Sequence, residues 1–413
     1  MEEDNSQQKR KIGIFDLPRN VWAVGATSFL MDVSSKMVSN IVPLFLKNIL
    51  GVQTDIIGLI EGIAEATASV LKLFSGWLSD KVGGRKWLAV LGYGISALFK
   101  PFYYIAISWG FIAGAEWADK VGKGIRTAPR DALVADSVSK ETRGLAFGFR
   151  RTMDTAGAMV GIAIAALIVW LTQKNTLDLS KVTYQKIVLV SLLPAFLSVL
   201  MLIFGSKDVP VTGKRELPKF SLKSMGKPFS IFLVIVSIFT LGNSSDAFLI
   251  LRAQNLNVST LSILIMLVVF NLVCALISTP AGKLSDKIGR RRLIISGWLA
   301  YAVIYLGFAL AKTGWQVWVL YVLYALYYGL AFGTYNALVA DLVPDNLRGT
   351  AYGTYNAVIG ILAFPSSFIA GVLWEGIGSW SGFGPSAPFY FGGGLALLAA
   401  LLMLFWMPKQ KAN

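Results

Sequence analysis

Histidine is missing from the 413 residues and cysteine occurs once. Without an imidazole there is neither a His-ligated metal site nor an imidazole proton shuttle. The single thiol, Cys274 in an apolar stretch, rules out an intramolecular disulfide and reads as a buried structural group. No P-loop pattern is present, which argues against a nucleotide-driven pump. No metal and no cofactor is expected. Charge is scarce as well, at 15% of residues where a soluble domain averages about 25%. What the chain has in its place is apolar length: 55% of residues are hydrophobic, in runs of roughly 20 that suffice to cross a bilayer as helices. An all-α polytopic membrane protein follows. The first residues are polar and the next helix is too long for a cleaved signal.

The formal charge of +15 suggests a nucleic-acid partner until the charges are placed. Of the 38 Lys and Arg, 23 fall on one alternating set of connections and 6 on the other. Such an excess puts both termini in the cytoplasm of a cell inner or plasma membrane. The basicity is topology; the bilayer is the partner, and nucleic acid is not.

Twelve helices are predicted. Six lie near residues 21–46, 56–78, 87–107, 110–135, 144–171 and 187–204. Six more lie near 228–251, 261–281, 293–311, 316–340, 350–374 and 389–407. The chain thus divides into a tail (1–20), a six-helix bundle (21–204), a basic linker (205–227), a second bundle (228–407) and a short tail (408–413). The bundles repeat. GWLSDKVGGRK from Gly76 returns as GKLSDKIGRRR from Gly282, an offset of 206. ALVADSVSKETRG from Ala132 returns as ALVADLVPDNLRG from Ala337, an offset of 205. Six helices plus six about a basic loop is a duplicated transporter architecture.

These motifs resemble the major facilitator superfamily over nearly the whole chain. The signature Gly-x-Leu-x-Asp-Arg/Lys-x-Gly-Arg-Arg/Lys is met by Gly76, Leu78, Asp80, Lys81, Gly83 and Arg85, with Gly84 where a basic residue is usual. The second copy fits throughout, from Gly282 to Arg291. Asp136-x6-Arg143 and Asp341-x6-Arg348 are similar to the family's acidic-x6-Arg element, and MDVSSKMV, EGIAEATAS and GKGIRTAPRDAL look like a prokaryotic permease branch. The resemblance implies two pseudo-symmetric bundles, a monomer, and alternating access by a secondary active transporter of small molecules. Asp80, Arg85, Asp136 and Arg143, with Asp286, Arg290, Asp341 and Arg348, are then a cytoplasmic gate that closes the inner mouth in one state; a static loop staple is the alternative. Gly144, Gly148, Gly349 and Gly353 read as small-residue helix contacts.

The first five helices hold nine basic and seven acidic residues. At about 2.5–3.5 kcal/mol each, sixteen charges would cost roughly 40–55 kcal/mol against lipid. They must be paired, interfacial or turned to a wet cavity. The second repeat is built without them: at offset 205, Asp119 becomes Tyr324, Lys123 Tyr328, Arg126 Ala331 and Arg150 Tyr355. The charges therefore serve the first half's task and not the fold. On the fourth helix, Asp119, Lys123, Arg126 and Arg130 form a stripe with a positive surplus.

The substrate site is expected at Lys36, Lys123, Arg126 and Arg150, facing Asn243, Asp246, Asn271, Tyr328, Tyr355 and Asn356. That lining suits a polar or amphipathic organic anion, a zwitterion or a metal–organic-acid chelate. Proton coupling falls to carboxylates: Glu61 and Glu65 first, then Asp32, Asp119 and Asp154. The family's proton-coupled drug exporters usually carry Arg midway along the fourth helix, where this chain has Glu116. A proton-coupled multidrug exporter is the second possibility, an intramembrane enzyme or non-transporting receptor a remote third.

Overall fold

A computed structural model describes residues 13–82, 84–139, 142–174, 176–209, 225–344 and 347–406, with every side chain in them except Asp80, Val82, 278–287, 330–333, Asn336 and Gly349. Most of the expected tails and linker lies outside these residues. Fourteen α-helices follow a short turn at Ile14–Asp16. The first half comprises α1 (Arg19–Ser39), α2 (Val42–Asn48), α3 (Thr54–Val82), α4 (Arg85–Tyr104), α5 (Trp109–Asp136), α6 (Arg143–Gln173) and α7 (Lys181–Gly205). The second comprises α8 (Lys227–Gly242), α9 (Ala247–Asn255), α10 (Thr260–Ile288), α11 (Arg290–Leu310), α12 (Gly314–Leu342), α13 (Arg348–Glu375) and α14 (Ala387–Phe405).

Eight helical stretches, with α1–α2 and α8–α9 each taken as one, are long and apolar enough to cross a membrane among the described residues. The other long helices are α3, α4, α5 and α12. In α3 and α5 ionic residues lower the apolarity. Twelve crossings are therefore not evident from apolarity alone.

Two helices expected to be continuous are broken. The stretch 21–46 interrupts between α1 and α2, and 228–251 between α8 and α9. Pro43 has no N–H to continue the ladder, and Asn40 Nδ2 donates to Lys36 O at 3.1 Å. At the second break Asn243 N donates to Thr240 O at 3.0 Å, Ser245 N to Ser367 Oγ at 3.2 Å and Ala247 N to Ser245 Oγ at 3.3 Å instead of continuing the helix ladder. The breaks fall at equivalent points: Asn40 and Ser245 are 205 residues apart.

Within the first half α1 packs on α6 and α7, and α5 on α3 and α4; within the second, α14 packs on α8 and α11, and α12 on α10. The halves meet along α3 with α13 and α6 with α10. A Cβ on Gly62 would sit 2.9 Å from the backbone of Phe364, so only glycine lets α3 and α13 approach this closely. Gly144 and Gly148 are different: a Cβ there would meet nothing within 4 Å, so the contact role expected for them is absent.

The repeated loop motif staples each half. Lys86 Nζ donates to Ile203 O at 2.7 Å and Ser206 O at 2.8 Å, satisfying carbonyls at the end of α7. Arg291, 205 residues on, donates to Leu404 O at 2.7 Å and does the same for α14.

Candidate functional site

A cavity of about 580 Å3 lies between the halves. The helix breaks open onto it: Ser39, Asn40 and Pro43 from the first, Asn243 to Ala247 from the second. From α3 and α5 come Glu61, Glu65, Glu116, Lys120 and Lys123, while α1 adds Lys36. The opposite wall is aromatic and amidic, with Tyr324, Tyr327, Tyr328 and Tyr335 from α12 and Tyr355 and Asn356 from α13. Hydroxyl bonds fix that wall. Tyr324 Oη donates to Asp246 Oδ1 at 3.2 Å, Tyr301 Oη to Asn243 Oδ1 at 3.1 Å, and Trp298 Nε1 to Tyr335 Oη at 2.9 Å.

Ionic contacts at the cavity are few. Lys120 Nζ pairs with Glu65 Oε2 at 2.6 Å. Glu61 Oε2 accepts from Ser245 Oγ at 3.2 Å, a bond between the two halves. Tyr103 Oη donates to Glu116 Oε2 at 2.8 Å. Lys36 and Lys123 make no ion pair among the described residues.

Seven of the ten expected substrate ligands line this space: Lys36, Lys123, Asn243, Asp246, Tyr328, Tyr355 and Asn356. Arg126, Arg150 and Asn271 do not. Arg126 is buried, donates to Ser96 Oγ, and stacks over Tyr93 at 4.7 Å. The cause is the close approach of α4 to α5: a Cβ on Gly92 would lie 2.6 Å from Arg126 Cβ and from Gly122 O. That face of α5 is sealed against α4. Arg150 pairs with Asp154 at 3.0 Å and Asp131 at 3.5 Å, and Asn271 Nδ2 bonds back to Leu267 O at 2.8 Å.

Of the expected proton carriers, Glu61 and Glu65 line the cavity. Glu65, expected to have few cations nearby, is the one held by Lys120. Asp119 sits 4.0 Å from buried Lys100, Asp154 is held by Arg150, and Asp32 makes no hydrogen bond or ion pair among the described residues. None of these three lines the cavity. Lys120, Asn40, Ser245 and Tyr327 were not singled out in the sequence as ligands, yet they line the site.

Two pairs form among the expected gate residues. Arg85 pairs with Asp136 at 2.5 Å, joining α4 to α5, and Arg290 pairs with Asp341 at 2.6 Å, joining α11 to α12. Each of the two pairs is internal to one half. Arg143 is exposed, Arg348 Nε donates to Ala340 O at 3.3 Å, and the side chains of Asp80 and Asp286 lie outside the described ones.

Polar bonds between halves gather at the opposite end, away from these motifs. Glu375 accepts from Lys47 Nζ at 2.7 Å, Thr54 N at 2.7 Å and Thr54 Oγ1 at 2.5 Å. Gln254 Nε2 donates to Asp178 Oδ1 at 3.2 Å and Thr260 Oγ1 to Leu177 O at 3.0 Å. Among the described residues, the only other polar bond across the gap is that of Glu61 with Ser245. No cluster of residues able to hold a metal occurs among the described residues.

Two repeated halves around a polar central cavity, in a chain of membrane-crossing helices, define a multi-pass membrane transporter. The family model described as Major Facilitator Superfamily matches residues 24–367 and 232–413, and the chain belongs to that family. It is 34% identical to an uncharacterized MFS-type transporter of Methanocaldococcus jannaschii over 97% of this chain and 98% of that one. It is 26% identical to the multidrug resistance protein MdtG of Serratia proteamaculans, covering 73% of this chain and 74% of that protein. The crystal structure of a D-xylose–proton symporter superposes with a TM-score of 0.72 at 17% identity, over 95% of this chain and 98% of that one. At that identity the likeness concerns the fold.

Proposed function

We propose that the protein is a proton-coupled secondary transporter of a small polar organic acid, as anion or zwitterion, working by alternating access as a monomer. Its two bundles, 21–204 and 228–407, rock about the central cavity. The excess of basic residues on the motif-bearing connections supports a cytoplasmic side for that end and both termini, in a cell inner or plasma membrane. The state described is then open inward and closed outward by Glu375. The observation that carries this is the central cavity between the halves, ionic on one wall.

Glu61 is the proposed proton carrier. Its carboxylate is bonded to a serine of the opposite half and to no cation, so its surroundings change whenever the halves part. Glu65 and Lys120 form the fixed pair beside it. Lys36, Lys123, Asn243, Asp246, Tyr328, Tyr355 and Asn356 are the proposed solute ligands, whereas Arg126 and Arg150 hold the first half together. The experiment is flux into proteoliposomes under an imposed pH gradient. Accumulation that collapses with a protonophore supports coupling, and flux blind to the gradient refutes it.

Export of lipophilic drugs is the second possibility, favoured by the five tyrosines on the cavity wall and by the name of the MdtG relative. Six ionic side chains on the facing wall weigh against it. Competition by lipophilic cations but not by organic acids would reverse the order.

A further inference from the structure

We propose that the cavity takes a dipolar solute, with an anionic group at one end and a protonated amine at the other, oriented across the gap with its anionic end toward the first half. This rests on the transport function proposed above and narrows its substrate class.

The charges at the cavity decide between a plain anion and a dipole. The positive surplus expected on α5 is carried by Arg126 and Arg130, which are packed into the first half. What faces the cavity is three ammonium groups, Lys36, Lys120 and Lys123, and four carboxylates, Glu61, Glu65, Glu116 and Asp246. A simple anion would meet at least as many like charges as opposite ones. The Glu65–Lys120 pair cancels itself. Glu116 is only 3% exposed and turned to Tyr103.

Four groups remain. Lys36 and Lys123 are exposed to the cavity with no ion pair among the described residues. Glu61 and Asp246 are each bonded to a neutral hydroxyl, Ser245 and Tyr324. Both ammonium groups belong to the first half. Asp246 stands at the second helix break, beside the tyrosines of α12 whose ring faces also favour a cation.

When the halves close over a solute, water leaves and each uncompensated charge becomes costly. A solute of one sign satisfies one pair and strands the other, whereas a dipolar solute satisfies both. That selects against single-charge analogues without any clash. A cavity of about 580 Å3 admits a molecule between an amino acid and a small peptide in size.

The test is a melting panel on the purified full-length protein with matched probes at equal concentration. One set is tyrosine, tyramine and 3-(4-hydroxyphenyl)propionate; a second is 5-aminopentanoate, pentylamine and pentanoate; alanyl-tyrosine and tetraphenylphosphonium complete it. At least one dipolar member should raise the melting temperature more than both its single-charge analogues. Lys36→Gln should erase its advantage over the amine and Asp246→Asn its advantage over the acid, each weakening binding about 10- to 100-fold. Lys36→Arg and Asp246→Glu should keep the preference, and melts without solute show that each variant folds. Acids that stabilise as well as their dipolar partners overturn the proposal in favour of a plain anion. Tetraphenylphosphonium as the sole stabiliser overturns it in favour of drug export, and no shift with any probe overturns it for solutes of this size. Transport is read separately: pentanoate flux on a pH gradient would refute the dipole and leave transport standing. Dipole binding without flux would do the reverse.

Discussion

Removing the Glu375 carboxylate should release the outer closure. Three donors converge on it from the other half: the Lys47 ammonium, the Thr54 amide and the Thr54 hydroxyl. A hydrogen bond to a charged group contributes about 1.5–3 kcal/mol when buried. Here Lys47 is 36% and Glu375 29% exposed, so the ion pair itself lies in the range of about 0.2–1 kcal/mol. With the two threonine bonds, the cluster favours the closed end by about 2 kcal/mol, close to a thirtyfold population ratio. Glu375→Gln keeps an acceptor for Thr54 and should shift the ratio only about two- to threefold. The assay uses a Cys274→Ser background carrying Ala363→Cys at the cavity wall, labelled from outside with a membrane-impermeant maleimide. Labelling should rise steeply in Glu375→Ala and only slightly in Glu375→Gln and Lys47→Ala, which keep the Thr54 bonds. Unchanged outside labelling in both alanine variants, with transport intact, would refute the role of this cluster in closure.

Glu61→Gln should retain exchange of solute across the membrane while losing accumulation on a pH gradient; counterflow and gradient-driven uptake measured side by side check this. Arg126→Ala should lower stability by about 3–5 kcal/mol, because it strands a buried network, and should show in the melting temperature. Lys123→Ala should leave the melt within about 0.5 kcal/mol yet cut uptake, since its side chain faces water. Lys86→Ala should speed amide hydrogen exchange in the last turn of α7, and Arg291→Ala in the last turn of α14, at a cost of about 1 kcal/mol each.

The architecture was legible because it is written twice. The repeat reappears as two ion pairs 205 residues apart, Arg85–Asp136 and Arg290–Asp341, although the loop motif holding the arginines aligns at 206. The site was legible as a contrast between an ionic and a neutral half, but not to the residue. On α5 the stripe Asp119, Lys123, Arg126, Arg130 was the natural choice from spacing. The cavity face is Glu116, Lys120 and Lys123, about 60° round the same helix at 100° per residue. Charge spacing alone does not show which side of such a helix meets α4; Gly92 and Gly122 decide it. The helix breaks were hidden for a related reason. Apolar length carries no mark of a local unwinding, and the polar run Asn243–Asp246 is equally compatible with an amphipathic face.

The low apolarity of α3, α4 and α5 bears on how the protein is made. These helices are consecutive, and none of them is apolar enough by composition to partition into lipid unaided. Several of their charges find partners in one another, as Glu65 on α3 does in Lys120 on α5 and Arg85 on α4 does in Asp136 on α5. Pairing of this kind lets the three helices enter the bilayer together during synthesis, where each alone would carry uncompensated charge.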